Sequence, residues 1–349
     1  MVRANSHRVT LRHVAEHAGV STTTVSFVLS GRRDMRISAV TEERVLQSAR
    51  VLGYRRSLTP RATPAPGSPV IGLVSDTIGS ESFAGEMIRG CIAAAAEHGH
   101  TVLMAESQGD ADLESAAIDS MVGHAVDRLL YGTTGARQVQ LPRALRGRAV
   151  VLMNCFDEES PVPAVLPDEH AAGRLAADTL LKAGHSDRIW LLGETPRESW
   201  AGRRRLAGMR ARLRSAGLTI AHHVECVWWP EVAREAVTAA LRAQTAPTAI
   251  IALNDRLAMG AYNAAAELGL RIPDDLSVIS FDNSDLARWL RPGLSSIALP
   301  HFDIGRRAVE ILLDSGAASG THVVPMSLNA RGSVAPPPTS AAPAAASIG

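Results

Sequence analysis

Five polar residues that could hold a small ligand each follow a short apolar run in the body of the sequence. They are Asp76, Asn154, Asn254, Asp255 and Asp282. Carboxylate and amide groups exchange hydrogen bonds with hydroxyl groups, so this set suits a sugar and could also suit a nucleoside. A sugar hydrolase that uses Asp76 and Asp282 is an alternative, but no catalytic nucleophile motif or phosphate-binding loop supports it. We therefore expect ligand binding without catalysis, and no cofactor or metal.

A second group of residues, near the N-terminus, has side chains suited to contact with DNA. The group comprises Thr10, Ser21, Thr22, Thr23, Thr24, Ser26, Phe27, Ser30, Arg55 and Arg56. Thr22, Thr23 and Phe27 are expected to meet base edges in the major groove, because they lie away from the apolar face of a predicted helix. The hydroxyl groups of Ser21 and Thr24 suit contacts with phosphate oxygens.

The charge of the chain is divided unevenly between its N-terminal segment and the rest. Residues 1–61 contain eleven arginines and four acidic residues, a net charge of +7, whereas the remaining residues carry −6. A basic segment attracts the phosphate backbone of nucleic acids, although a solvated charged surface is the simpler alternative. The charge distribution thus favours a small DNA-binding unit attached to a body with another task.

Three short helices are predicted in the basic segment. Their inner faces are formed by Leu11, Val14, Ala15 and Ala18, by Val25, Val28 and Leu29, and by Val45, Ala49 and Leu52. Gly19 ends the first helix, Ser21 can cap the second, and Ser38 or Thr41 can cap the third. Two short helices joined by a tight turn, with a third that completes the core, are typical of a helix-turn-helix head.

Beyond a proline-rich segment, apolar runs alternate with amphipathic helical patterns. The runs cover residues 70–74, 101–105, 127–131, 149–154, 188–192, 224–228, 249–253, 276–281 and 295–299. Repeated strand–helix alternation predicts parallel sheets with helices on both faces, and nine strands suit two sheets better than one. The expected fold class is an all-α head followed by an α/β body of two doubly wound parallel-sheet lobes.

Both the head and the body contain recognisable sequence motifs, and these motifs follow one another in a defined order along the chain. The head contains VTLRHVAEHAGVSTTTVSFVLSG at residues 9–31, and the body contains NDRLAMG at 254–260, IPDDLSVISFD at 272–282 and RPGL at 291–294. Together these motifs resemble the lactose-repressor (LacI/GalR) family of bacterial transcription regulators, over roughly residues 9–333.

The resemblance implies a transcription regulator, most often a repressor, that binds double-stranded operator DNA as a homodimer. A small effector, a sugar or sugar derivative, would bind between two periplasmic-binding-protein-like lobes. Arg205 aligns with the family arginine that grips effector oxygens, and Phe83 aligns with an aromatic residue that packs on the ligand ring. A sugar receptor used in transport would fit the body but not the basic head.

The resemblance and the composition together set the expected organisation. The boundaries are 1–56 for the head, 57–69 for the linker, 70–333 for the effector-binding and dimerisation domain, about 70–166 and 300–324 for its first lobe, about 167–299 and 325–333 for its second lobe, and 334–349 for a disordered tail. Three scattered cysteines and a polar N-terminus favour a cytoplasmic protein without membrane contact, associated with the nucleoid when it is bound to DNA.

The proposed ligand contacts each have a structural alternative. Asp282 could cap the turn that follows it, Arg205 could form a surface ion pair, and Asp255 could cap a helix. Phe83 could belong to the core of a lobe. For Asp76 and Asn154, ligand contact and a purely structural role are likewise both open.

The head and the linker depart from the family pattern at several positions, among them His13, Thr22, Phe27 and Thr63. Phe27 stands where the family commonly has arginine, which favours apolar contact with a thymine methyl group over a bidentate contact with guanine. Thr63 stands in the linker where the family has a leucine that wedges into the minor groove, and Pro60 and Pro64 flank it. Proline disfavours a helix there, so we expect little bending of the DNA.

Overall fold

The computed structural model describes residues 11–29, 37–52, 68–80, 84–195, 199–314, 316 and 319–338. The chain forms two compact units, residues 1–60 and 61–349, which are described separately. In the described residues, no helix is both long enough and apolar enough to cross a membrane.

Over residues 11–29 and 37–52 the first unit forms three helices around a small apolar core, as the sequence predicts. They are α1 (Leu11–Ala18), α2 (Thr22–Leu29) and α3 (Ala39–Val51). Val14, Val25 and Val45, one from each helix, are fully buried in this shared core. Ser38 rather than Thr41 caps α3, since its hydroxyl accepts a hydrogen bond from the Thr41 backbone N–H at 3.2 Å. The helix-turn-helix architecture is confirmed.

The second unit alternates strands and helices along the chain. Its helices are α4 (Gly85–Glu97), α5 (Ala111–Gly123), α6 (Glu169–Lys182), α7 (Trp200–Ser215), α8 (Pro230–Ala243), α9 (Asp255–Glu267), α10 (Asp285–Trp289) and α11 (His301–Leu313). Its strands are β1 (Val70–Ser75), β2 (Thr101–Glu106), β3 (Arg128–Gln138), β4 (Ala149–Phe156), β5 (Ala164–Pro167), β6 (Ile189–Leu192), β7 (His222–Val224), β8 (Ala249–Ala252), β9 (Ser277–Asp282), β10 (Ser295–Ala298), β11 (Thr321–Val324) and β12 (Ser327–Asn329).

These strands form two six-stranded sheets, one in each lobe. The first sheet has the order β11-β5-β4-β3-β1-β2 and is parallel throughout. The second has the order β12-β10-β9-β8-β6-β7 and is parallel except for the antiparallel edge strand β12. Buried Val, Ile and Leu side chains fill the central strands, as expected of sheets covered on both faces. The predicted pair of doubly wound lobes is confirmed.

The chain passes between the lobes three times, each time through a very short connection. The crossings run from β5 to α6, from β10 to α11 and from β11 to β12. Lobe 1 therefore contains α11 and β11, which follow lobe 2 in the sequence. The carboxyl ends of the strands in both sheets face the space between the lobes, where open α/β sheets bind ligands.

Helices α6 and α7 pack unusually closely through two glycines. A Cβ atom on Gly173 would lie 2.0 Å from the Arg205 carbonyl oxygen, and one on Gly208 would lie 2.0 Å from the His170 carbonyl oxygen. Real Cβ atoms do not approach backbone oxygen so closely, so only glycine permits this separation of the helices. The close packing holds Glu169 at the start of α6 next to Arg205 on α7.

Residues 334–338, which the sequence placed in a disordered tail, are held on lobe 2. The Ala335 backbone N–H donates to Ser277 Oγ at 3.1 Å, and its carbonyl accepts from the same hydroxyl at 3.1 Å. The ring of the buried His185 also contacts the Ala335 carbonyl, with Nε2 at 3.0 Å. The proline- and alanine-rich composition does not reveal these contacts, because they involve only the backbone of the segment.

Candidate functional site

A cleft of roughly 920 Å³ lies between the two lobes, a volume in the range of small-molecule sites. Four of the residues expected to bind an effector line it together with Arg205. They are Asn154 from lobe 1 and Asn254, Asp255 and Asp282 from lobe 2. Phe83 lies outside the described residues. Asp76 does not line the cleft; its carboxylate pairs with Arg137 at 3.0 Å and accepts a hydrogen bond from the Thr134 backbone at 2.9 Å.

Arg205 is fully enclosed at the floor of the cleft. Its Nε and Nη2 donate to the two carboxylate oxygens of Glu169 at 2.6 and 2.9 Å, and Nη1 donates to the Leu253 carbonyl. Its guanidinium group also stacks over Phe281, with Cζ 4.5 Å from the ring centre. Burial lowers the pKa of Arg205, but the carboxylates of Glu169, Asp282 and Asp255 together outweigh it and the pKa is raised. The alternative of a surface ion pair is wrong, since Arg205 and Glu169 are both buried.

Asp282 presents an open carboxylate to the cleft. In the described part of the chain its only polar side-chain contact is Arg205 Nη1, 3.7 Å from Oδ1. The residue has a φ of 98°, which turns the chain at the end of β9. Such a left-handed conformation is rare for a non-glycine residue and is found most often where function requires a particular side-chain direction. This carboxylate can accept two or more hydrogen bonds from a ligand.

Asn254 and Asp255 have strong local roles. The Asn254 side chain caps α9, accepting from the Leu257 backbone N–H at 2.8 Å. The buried Asp255 carboxylate accepts hydrogen bonds from Ser280 and Ser296 at 2.5 and 2.7 Å, and from the Ser284 hydroxyl at 2.8 Å. These contacts join β9, β10 and the start of α10, so Asp255 positions the cleft wall that carries Asp282.

Asn154 lines the opposite wall. Its amide nitrogen donates to the carbonyl oxygens of Thr133 and Thr134 at 3.0 and 2.9 Å. Its amide oxygen is buried and, within the described residues, accepts no hydrogen bond. A buried polar atom without a partner is costly, so a ligand hydroxyl or a bound water is the natural donor to it.

Several cleft residues were missed by the sequence reasoning. Glu169 is the most important, and its signal was its position directly after β5 and Asp168, at a strand end like the others. Trp228 and Trp289 also line the cleft. Trp228 packs against the core of lobe 2, and its indole N–H donates to the Glu194 carbonyl at 2.9 Å.

An aromatic contact connects the two lobes beside the cleft. Phe156 at the end of β4 meets Trp200 at the start of α7, with ring centres 5.6 Å apart. Arg204 lies over the same indole, 5.6 Å from its centre. Neither aromatic residue has the spacing of a motif, and only the fold brings them together.

In the head, α2 carries the residues expected to contact DNA. Ser21 caps this helix through the Thr24 backbone N–H at 3.1 Å, and Thr22 and Thr23 are exposed. The side chains of Ser26 and Phe27 lie outside the described part of the chain. Four further candidates are also outside it: Thr10, Ser30, Arg55 and Arg56.

Neutralising Asp282 should stabilise the ligand-free protein most at alkaline pH. Burial raises the pKa of Asp282 to about 8, against the opposing charge of Arg205, so the folded protein retains a proton that the unfolded chain releases near pH 4. The stabilising contribution of this proton is present below about pH 4 and is lost as the pH rises through about 8.

Asparagine does not titrate in this range, so Asp282→Asn does not lose stability in this way as the pH rises. The difference between its melting temperature and that of the wild type should therefore increase between about pH 5 and pH 9. Differential scanning fluorimetry across this range measures the difference. A difference that stays constant with pH would show that Asp282 is ionised throughout.

Comparison with known proteins agrees with this architecture in both units. The profile of bacterial regulatory proteins of the lacI family matches residues 10–57, and that of the periplasmic binding protein-like domain matches residues 177–334. The transcriptional repressor CytR of Escherichia coli K12 is 31% identical over 331 residues, which cover 93% of this chain and 96% of CytR. The ribose operon repressor of Haemophilus influenzae is 31% identical over 307 residues, covering 87% and 91%.

Solved structures extend the similarity to three dimensions. The lac repressor dimer bound to operator and the anti-inducer ONPF has a TM-score of 0.65 and 25% identity, covering 94% of this chain and 99% of its own. A complex of the transcriptional regulator CelR with cellobiose has a TM-score of 0.63 and 26% identity, covering 93% and 100%. With its head and body in the same order over nearly the whole length, this chain belongs to the lacI family and is a DNA-binding transcriptional regulator with an effector-binding body.

Proposed function

We propose that the effector is a small, uncharged molecule rich in hydroxyl groups, a sugar or sugar derivative, held between the lobes. The observation that carries this proposal is the open Asp282 carboxylate beside the enclosed Arg205. Asn154 supplies a free acceptor on the facing wall, so a ligand with several donors could bridge the lobes. The similarity to a ribose operon repressor and to a cellobiose complex of CelR supports the same class.

A nucleoside is the second candidate. Trp289 lines the cleft with 68% of its surface exposed, an unusual state for a large aromatic side chain. An indole can stack on a base as well as on the apolar face of a sugar ring. Both ligand classes would still use Asp282 as an acceptor.

A thermal-shift screen of neutral sugars and nucleosides tests the proposed effector class. A ligand present at about 100 times its Kd should stabilise the protein by roughly 2.7 kcal/mol. Calorimetry of the hit at about pH 9, where Asp282 is ionised, should then show affinity weakened by about 2–4 kcal/mol in Asp282→Ala, because a charge-assisted acceptor is lost. If neither class shifts the melting temperature, the proposal fails.

For the head, we propose that α2 enters the major groove and that two copies of the chain read the halves of a pseudo-palindromic operator. Closure of the cleft on the effector would alter the spacing of the two heads. The exposed Thr22 and Thr23 would meet base edges, with Ser21 at a phosphate. Operator affinity should fall steeply with salt, since arginines of the head displace counterions.

Phe27→Arg is expected to shift base preference toward guanine at one position in each half-site, by about 1–3 kcal/mol, because arginine can donate two hydrogen bonds to guanine. Selection from randomised operators with wild type and variant measures the shift. Val40→Arg, at an exposed position of α3, adds the same charge and should leave the selected sequence unchanged. An identical site for all three proteins would exclude Phe27 as a base reader.

A further inference from the structure

The arginine at the floor of the cleft is already bound to an anion, and that anion belongs to the protein. Glu169 takes two of the donor positions of Arg205, and Leu253 takes a third through its carbonyl. The Arg205 and Glu169 side chains are 3% and 1% exposed, so solvent does not compete for this pair. An effector that enters the cleft therefore meets a guanidinium group whose charge is largely compensated.

Glu169 also occupies a position that would otherwise attract anions. It is the first residue of α6, a helix of 14 residues whose N-terminus carries partial positive charge. Helix N-termini bind phosphate and carboxylate groups readily, and an adjacent arginine strengthens such a site. The Asp168 side chain caps this helix end by accepting from the Ala171 backbone N–H at 2.9 Å, and Glu169 binds Arg205, so both groups are satisfied internally.

The charged side chains that line the cleft also disfavour an anionic ligand. Among its described lining residues the acidic side chains are Glu86, Glu169, Asp255, Asp282, Asp285 and Asp303, and the arginines are Arg205, Arg256 and Arg288. Arg288 is paired with Asp285, and Arg256 stacks on Trp229, 4.9 Å from the ring centre. Even with Asp282 protonated, the other acidic side chains outnumber the arginines, so this wall repels a negatively charged ligand and offers oxygen atoms to ligand hydroxyl groups.

We infer that Glu169 is a specificity-determining residue: by accepting hydrogen bonds from the Arg205 guanidinium group, it excludes phosphorylated and carboxylated effectors from that group. The inference rests on the proposed function, because it assigns the charge class of the molecule bound in that cleft. In this role Glu169 is a positioning residue: it holds the Arg205 guanidinium group in place and compensates its positive charge. Asp282 remains to contact the neutral ligand.

The test compares inorganic phosphate binding by the wild type, Glu169→Gln and Asp282→Asn, using calorimetry and thermal shift at matched ionic strength. Glu169→Gln keeps an amide oxygen for Arg205 but removes the negative charge, so it should bind phosphate at least about tenfold more tightly than the wild type. At about pH 9, above the pKa of Asp282, Asp282→Asn removes the same charge from the cleft while Glu169 still occupies Arg205, and it should gain less than about threefold.

Phosphate binding by the wild type as tight as that by Glu169→Gln would overturn the inference, and so would an equal gain in both variants. A variant Glu169→Gln that binds no more phosphate than the wild type would also overturn it. Should Glu169→Gln fail to fold, Glu169→Asp replaces it: its side chain is one methylene group shorter and withdraws the carboxylate from Arg205, and absence of any gain there overturns the inference. The screen of neutral sugars and nucleosides on the wild type judges the proposed function separately.

Discussion

Gly173→Ala should destabilise the protein by about 3 kcal/mol, because the added methyl group would lie 2.0 Å from the Arg205 carbonyl oxygen. Relief requires α6 and α7 to move apart, and this movement also separates Glu169 from Arg205. We therefore expect the variant to lose effector binding as well as stability. Urea unfolding followed by circular dichroism measures the loss.

Gly123→Ala is the matched control for this substitution. Gly123 is also helical, at the end of α5, but nothing lies within 4 Å of the position its Cβ would take. Alanine has the higher helix propensity, so this variant should be neutral or more stable by up to about 1 kcal/mol. Equal losses in the two variants would mean that helix separation is not the limiting contact.

Arg205→Ala should cost about 3–5 kcal/mol of folding stability, because it leaves the Glu169 carboxylate buried without a counter-charge. Much of the loss should return in the double variant Arg205→Ala with Glu169→Gln, since a neutral amide is less costly to bury than a carboxylate. A double-mutant cycle in urea gives the coupling energy between the two side chains.

Asp282→Ala is the comparison for that cycle. Its carboxylate lies 3.7 Å from Arg205, and no hydrogen bond of its side chain within the described residues is lost on truncation. Its stability should change far less than that of Arg205→Ala, although both variants should weaken effector binding. A large loss of stability in Asp282→Ala would show that this residue, too, maintains the cleft.

The architecture was predictable because it is encoded in local patterns. Apolar runs and amphipathic segments identify the central strands and most helices, and the motif Ser21–Gly31 with the arginine-rich head indicates the DNA-binding unit. The place of Asp282 in the cleft followed from the strand-end rule for parallel sheets, whereas that of Arg205, within α7, was implied by the family resemblance.

The remaining details depend on contacts that no local pattern specifies. Strands β11 and β12 are partly exposed edge strands without an apolar run, and prolines surround the short apolar run of β5. The predicted strand over 224–228 is shifted, because β7 pairs His222–Val224 with β6 and the chain then turns toward Pro230. Similarly, the sequence predicted Arg205 as a site residue but not its partner Glu169, because their pairing depends on the close packing of α6 against α7.

The threefold crossing of the chain between the lobes has a consequence for biosynthesis. Lobe 1 lacks its edge strand and the helix that covers its sheet until α11 and β11 are made, about 150 residues after β5 ends at Pro167. At roughly 5–20 residues per second, the ribosome needs about 10–30 s to add them. During that interval the apolar face of α4 around Met87 and Cys91 lacks the α11 side chains that complete its core, whereas the three described helices of the head are already made. A nascent or prematurely terminated chain would therefore present a finished DNA-binding unit before it can respond to an effector.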